Sequence, residues 1–170
     1  MFARRTIGFA LTLAAFSAAQ AEDSLLKFIK TMDAKTTPLM MKKDLKGWKK
    51  VIAPMVTKDF KYTEEGRTYN LDSMVKSMEQ GFAGMQKINK VESKVLKHKV
   101  KGAVATVKSS HTIVAAVAGE KGKPAELKMI GLSIDTYVKD KKGWMLKAMD
   151  WKSTQYFMNG KQFNPSAAQQ

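Results

Sequence analysis

Apolar residues recur every three or four positions through the first half of the chain, a spacing that predicts three amphipathic helices. The apolar positions that define them are Leu25, Ile29 and Met32 in the first helix, Leu45, Trp48 and Ile52 in the second, and Leu71, Met74, Val75, Met78, Phe82 and Met85 in the third. Asp44 and Asn70 precede the second and third helices and can cap them. We expect Pro38 to lie at a break in the first helix or near the start of the next turn, and Pro54 to end the second helix.

Four long segments in the second half alternate apolar and polar side chains, as half-buried strands do. They span residues 88–100, 103–117, 127–139 and 144–156. Short turns join most of them, which predicts an antiparallel meander. A smaller hairpin is predicted earlier, with Asp59–Thr63 turning at Glu64-Glu65-Gly66 into a return strand over residues 67–69. Gly131 lies inside the third long segment and indicates a bend or bulge.

Helices followed by an antiparallel sheet predict an α+β fold, with a strongly curved antiparallel sheet wrapped on about three N-terminal helices. Strands of this length must coil to stay compact. A coiled sheet closed by helices encloses a cone, and side chains cannot fill its wide end. We therefore expect a cavity between the helices and the sheet.

Strict alternation also assigns faces within the last long strand. It places Leu146 and Asp150 on one face, and Met149 and Trp151 on the other. The methionines of the third helix share their face with apolar residues, which is typical of a core or a pocket wall and not of a copper(I) site built from thioethers. We expect no metal and no cofactor.

The first 21 residues have the layout of a secretory signal peptide. An arginine pair at positions 4 and 5 precedes an apolar run too short to span a membrane, and Ala19-Gln20-Ala21 supplies the small residues of a cleavage site. We expect cleavage after this site, a mature domain over residues 22–159, a flexible tail over residues 160–170, and a periplasmic or secreted protein. The chain has no cysteine, which excludes disulfides, thiolate metal sites and a catalytic thiol.

The charge of the chain is strongly positive. Thirty lysines and arginines face 15 acidic residues, a formal net charge of +15. Arg67 is the only arginine after the predicted signal peptide, and nucleic-acid recognition normally recruits arginine, so we expect no specific nucleic-acid partner. A group of lysines fits a polar outer sheet face and allows at most loose, salt-sensitive contact with anionic surfaces. Its members are Lys90, Lys94, Lys97, Lys99 and Lys101.

Seven side chains supply the bulk or the polar groups of a ligand pocket and are its candidates. They are Trp48, Tyr62, Phe82, His111, Asp135, Tyr137 and Trp151. One interpretation brings His111, Asp135 and Tyr137 together at the pocket wall, where a carboxylate can orient an imidazole for acid–base chemistry. In the other interpretation this face of the sheet is solvated, as mixed polar strands commonly are, or Asp135 and His111 form a satisfied pair without a function. The sequence leaves both open and assigns no catalytic residue.

The order helix, helix, short hairpin, helix and long antiparallel strands resembles the NTF2-like superfamily. That superfamily includes nuclear transport factor 2, ketosteroid isomerase, scytalone dehydratase and SnoaL-like polyketide cyclases. The segments that carry the resemblance are Asp44-Leu45-Lys46-Gly47-Trp48, Asp59-Phe60-Lys61-Tyr62 with the Glu65-Gly66 turn, and Gly143-Trp144-Met145-Leu146. The resemblance covers the whole predicted mature chain, which looks most similar to small exported bacterial members without an assigned reaction.

The resemblance implies a conical pocket that serves catalysis, ligand binding or dimerisation. We therefore expect an exported domain that binds a small, partly apolar ligand. The alternative is a lyase, isomerase or cyclase that uses Asp135 or Glu64 with His111, and a third expectation is a homodimer formed through the sheet. Glu64 lies nearest the position of the ketosteroid isomerase base, but the first helix lacks the tyrosine that such an enzyme uses. Two histidines, the second being His98, are too few for the scytalone dehydratase set.

Overall fold

A computed structural model describes residues 7–119 and 122–164, with side chains from residue 19 onward. The helices are α1 Ile7–Met41, α2 Leu45–Ile52 and α3 Leu71–Ala83, with a short 3-10 helix at Ala53–Met55. The strands are β1 Val56–Glu64, β2 Arg67–Tyr69, β3 Met85–Lys101, β4 Val104–Ala118, β5 Pro124–Asp140, β6 Gly143–Met158 and β7 Lys161–Phe163. This succession confirms the α+β fold class and the predicted order of elements.

The strands of the described residues form one curved, unclosed sheet in the order β2-β1-β6-β5-β4-β3, with β7 paired to β6. β3 to β6 are the predicted antiparallel meander. β1 pairs with β2 as the predicted hairpin, and it joins the meander by running parallel to β6. The alternation pattern contains no signal for that parallel pairing, because it reports the faces of a strand and not its neighbours.

The core lies between the concave face of the sheet and the three helices. Buried Leu25, Ile29 and Met32 line the inner face of α1, which packs against α2, β3 and β6. Both predicted caps are present: the carboxylate of Asp44 accepts from the Gly47 amide at 2.8 Å, and the side chain of Asn70 accepts from the Ser73 amide at 2.9 Å. Capping starts α2 and α3 at the predicted residues.

Two helix boundaries differ from the prediction. α1 continues through Pro38 to Met41, because a proline in the last turn removes one backbone hydrogen bond while the helix stays packed on its neighbours. α3 ends at Ala83, so Met85 begins β3, where it is buried. No helix in the described part of the chain is long and apolar enough to cross a membrane.

The predicted terminal segments lie partly outside the described residues. Residues 1–6 of the predicted signal peptide and residues 165–170 of the predicted tail belong to this group. The first part of that tail forms β7 against the end of β6, which extends the sheet past residue 159.

The alternation of side chains between the two faces of the sheet is interrupted twice along β6. Its register with β5 shifts between Thr136 and Tyr137, so that Lys147 is an extra residue of the β6 strand. Leu146 is buried, and Met149 and Trp151 line the same concave side. The prediction that these residues lie on opposite faces is wrong, because one extra residue inverts every later position of a strand. A second shift, between Leu132 and Ser133 of β5, inverts the facing again.

Candidate functional site

A cavity of about 330 Å³ lies between the helices and the concave face of the sheet. Its walls are mostly apolar, with Met32 from α1, Met74 and Met78 from α3, and Met129 and Met149 from the sheet. All seven candidate residues line it, namely Trp48, Tyr62, Phe82, His111, Asp135, Tyr137 and Trp151. The helices and the curved sheet thus bring together residues that are up to 103 positions apart in the chain (151 − 48).

A row of hydrogen bonds crosses three strands of the cavity wall through His111. Ser93 on β3 lies 3.1 Å from its Nδ1, and Ser133 on β5 lies 2.9 Å from its Nε2. Burial lowers the pKa of His111 to about 4, so the ring is neutral at physiological pH. A neutral imidazole has one N–H donor and one acceptor nitrogen. One serine therefore accepts from the ring while the other donates to it.

The ring of Trp151 stacks on His111, with ring centroids 5.0 Å apart and planes inclined by 22°. The indole crosses Gly131, where an added Cβ would lie 1.9 Å from its Cζ2 atom. The indole N–H donates to Thr154 Oγ1 at 2.7 Å. The irregularity predicted at Gly131 occurs one residue later, at the register shift after Leu132, and the glycine itself gives the indole its space.

Asp135 is the most deeply buried acidic group of the site, at 1% exposure. The Ser109 hydroxyl donates to its Oδ2 at 3.1 Å, whereas its Oδ1 has no hydrogen-bond partner among the described residues. Burial raises the pKa of Asp135 to about 6, and the hydroxyls of Ser133 and Ser109 offset part of that rise. The interpretation in which this face of the sheet is solvated is therefore wrong.

The sequence analysis missed Asp33, which lines the cavity from α1. Burial raises its pKa to about 6, and its charge in turn raises the pKa values of Asp135 and Tyr137. A sequence signal was present, because Asp33 follows Ile29 by four residues and so lies on the core-facing stripe of the helix. An acidic residue on such a stripe indicates a buried carboxylate.

Glu64 ends β1 at another part of the cavity lining. Burial and the nearby Glu64 carboxylate raise the pKa values of Tyr62 and Tyr156, so both hydroxyls keep their protons. Within the described residues, no group of three or more histidine, aspartate or glutamate side chains is placed to hold a metal ion. The site thus offers separate carboxylates, a neutral imidazole and hydroxyls in a mostly apolar cavity.

Solved structures share this arrangement of three helices and a curved sheet. A protein from Kribbella flavida matches with a TM-score of 0.60 at 13% identity, over 88% of this chain and 99% of that one. An NTF2-like protein with a cystatin-like fold from Novosphingobium aromaticivorans matches with a TM-score of 0.54 at 13% identity, over 96% of both chains. The chain has the NTF2-like fold. This confirms the superfamily resemblance at the level of fold.

The NTF2-like fold hosts proteins with different names. A protein from Novosphingobium aromaticivorans, named provisionally as a scytalone dehydratase, matches with a TM-score of 0.60 at 13% identity, over 80% of this chain and 89% of that one. No protein-family profile matches the sequence, and no curated protein matches it either. Sequence identities this low establish the NTF2-like fold alone, and function must be argued from the site.

Proposed function

We propose that this protein is exported and binds a small, partly apolar molecule in the cavity of its NTF2-like fold. The observation that supports the proposal is the cavity itself, about 330 Å³ in volume and mostly apolar. Ligand pockets begin at roughly 300 Å³ and combine apolar walls with a few polar groups. The cavity lies near the lower end of that range, which suits a small ligand.

Native mass spectrometry of the protein purified from its own host tests this proposal. We expect an added mass that leaves on denaturation. A matched pair of variants locates the ligand: Met149→Trp places an indole in the cavity and reduces its volume, whereas Met145→Trp changes a residue outside the cavity lining. The first variant should lose the added mass and the second should keep it. Equal retention by both variants would place the ligand elsewhere, and the absence of any adduct under gentle conditions would count against a resident ligand.

An enzyme of the lyase, isomerase or cyclase class is the second candidate. It is favoured by His111 and Asp135 lying in one cavity, each hydrogen-bonded to a serine, with Ser109 directly opposite Ser133 in the sheet. A carboxyl group whose pKa is about 6 can exchange a proton near neutral pH. Such a pair would act as proton donor and acceptor on a bound substrate.

Asp135→Asn separates the two candidates. In an enzyme, the loss of a general acid–base group lowers turnover by about 10²–10⁴-fold. In a binding protein, the same variant changes affinity without changing the chemical identity of the bound molecule. Incubating wild type and variant with the molecule released from the wild type, and following its conversion by mass spectrometry, distinguishes these outcomes.

A further inference from the structure

The charges that line the cavity have the opposite sign to those of the chain. Among the described residues, four carboxylates line it, from Asp33, Glu64, Glu92 and Asp135, against the single lysine Lys94. Across the whole chain, basic residues outnumber acidic ones by 30 to 15. Glu92 is paired with Lys94 at 3.4 Å and with a second lysine, so three carboxylates remain.

Those three carboxylates differ from Glu92 in forming no ion pair among the described residues. In the described part of the chain, no lysine, arginine or histidine forms an ion pair with Asp33, Glu64 or Asp135. The Oδ1 atom of Asp135 is buried and accepts no hydrogen bond from the described residues. A buried carboxylate without a cation is costly, as is a buried oxygen atom without a donor, and a positively charged donor at Oδ1 of Asp135 would supply both.

We infer that the cavity takes a small hydrophobic amine in its protonated form, with the ammonium group beside Asp135 and Asp33 and the apolar body in the rest of the cavity. This inference rests on the proposed function, because it names the class of ligand that the cavity binds. An ammonium N–H supplies the donor that Oδ1 of Asp135 lacks. The aromatic walls, which include Trp48, Tyr62 and Trp151, attract cations as well as apolar groups.

The groups that face Asp135 determine how binding depends on pH. They are Asp33 from α1, Ser109 and His111 from β4, and Ser133 and Tyr137 from β5, while β6 contributes the uncharged Met149. The two carboxyl groups titrate as a coupled pair near pH 6, whereas His111 is neutral above about pH 4. The part of the cavity wall formed by Asp33 and Asp135 is therefore anionic at pH 7.5 and close to neutral at pH 4.5.

Matched pairs of small molecules test the inference. The probes are 2-phenylethylamine with 2-phenylethanol, and cyclohexylmethylamine with cyclohexylmethanol, titrated calorimetrically into the full-length mature protein. At pH 7.5 we expect each amine to bind at least about tenfold more tightly than its alcohol, which corresponds to one charge-assisted hydrogen bond. At pH 4.5 the amine affinity should fall by about tenfold or more, while the alcohol affinity should not fall.

Variants connect that preference to the carboxylates. Asp135→Asn and Asp33→Asn should each reduce the ratio of amine to alcohol affinity, with alcohol binding retained as evidence that the cavity is intact. Asp150→Asn is the matched control, because that carboxylate is partly exposed, pairs with Lys152 and lies outside the cavity lining. Trimethyl(2-phenylethyl)ammonium has the charge but no N–H group, so it should bind more weakly than 2-phenylethylamine.

The inference and the proposed function fail in different ways. If alcohols bind as tightly as amines, or more tightly, the amine assignment is overturned while small-molecule binding stands. If neither member of any pair binds, both are overturned. If the trimethylammonium compound binds as tightly as the primary amine, the hydrogen bond assigned to Asp135 is wrong.

Discussion

The indole of Trp151 crosses Gly131 on the neighbouring strand, so closely that a Cβ at Gly131 would lie 1.9 Å from an indole carbon. Only a residue without a side chain leaves this space, and the same indole then reaches His111 at a centroid distance of 5.0 Å. A glycine inside a strand commonly marks such an approach. The pair therefore fixes one wall of the cavity.

Gly131→Ala should lower the free energy of unfolding by about 1–3 kcal/mol, because the buried indole must move. Urea denaturation measures the change. Gly81→Ala is the matched control: apart from the neighbouring residues and backbone of its own helix, no atom of the described residues lies within 4 Å of the Cβ position, and alanine favours the helix by up to about 1 kcal/mol. In a Trp151→Ala background, the cost of Gly131→Ala should largely disappear. An undiminished cost in that background would show that the indole is not its cause.

Asp135→Asn should stabilise the protein at pH 7.5 and have little effect at pH 4. The folded-state pKa of Asp135 is raised to about 6, so the folded protein holds this proton more tightly than the unfolded chain. That contribution is present below about pH 4, the ordinary value for aspartate, and is lost as the pH rises through about 6. Replacing the carboxylate removes the loss, which amounts to about 1–3 kcal/mol.

Urea unfolding of wild type and Asp135→Asn at both pH values measures this effect, and the comparison cancels the contributions of other titrating groups. Asp150→Asn serves again as the control for a partly exposed carboxylate. A variant that is less stable than wild type at pH 7.5 would show that the carboxylate has a cation partner or is ionised at no cost.

The imidazole of His111 should remain neutral down to about pH 5. Burial lowers its pKa to about 4, so the stability that it contributes is present above the ordinary value of about 6.5 and is lost as the pH falls through about 4. The nitrogen chemical shifts of the ring, measured by NMR across this range, report the charge directly. A titration midpoint near 6.5 would mean that the ring is exposed to water.

The mature protein should begin at Glu22. α1 is continuous across Ala21 and Glu22, and the Ser24 hydroxyl donates to the Ala21 carbonyl at 2.8 Å, so cleavage would have to precede or open this turn. The intact mass of the protein purified from its host gives the N-terminus. Ala21→Leu should block processing because the cleavage site requires a small residue, whereas Gln20→Leu should not. An unprocessed wild-type protein would contradict the prediction.

The local structure of this chain was predictable because it depends on neighbouring residues. Asp44 and Asn70 cap α2 and α3 as predicted, and the four long strands occur close to the predicted bounds. The seven candidate residues could be selected because bulky and polar side chains on the inner faces of strands and helices converge inside a curved sheet. Whether they bind a ligand stays a prediction.

The remaining features depend on partners that are distant in sequence. The extra residue at Lys147 of β6 results from its pairing with β5, and the local alternation of apolar and polar residues does not predict it. Pro38 stays helical because tertiary packing outweighs one lost hydrogen bond. The only sequence signal for Asp33 was one acidic residue on an apolar stripe, and its place in the cavity became visible only in the folded structure. In each case a long-range contact overrode or completed the local rule.

The row from Ser93 through His111 to Ser133 ties three adjacent strands together by their side chains, in addition to their backbone ladders. These strands cannot spread apart or slide without breaking both sets of bonds. Any expansion of the cavity must therefore come from the opposite side, where the flexible methionine side chains of α1 and α3 form the wall. A ligand larger than the cavity would be accommodated by a tilt of the helices and new rotamers of the methionines. The sheet would keep its shape.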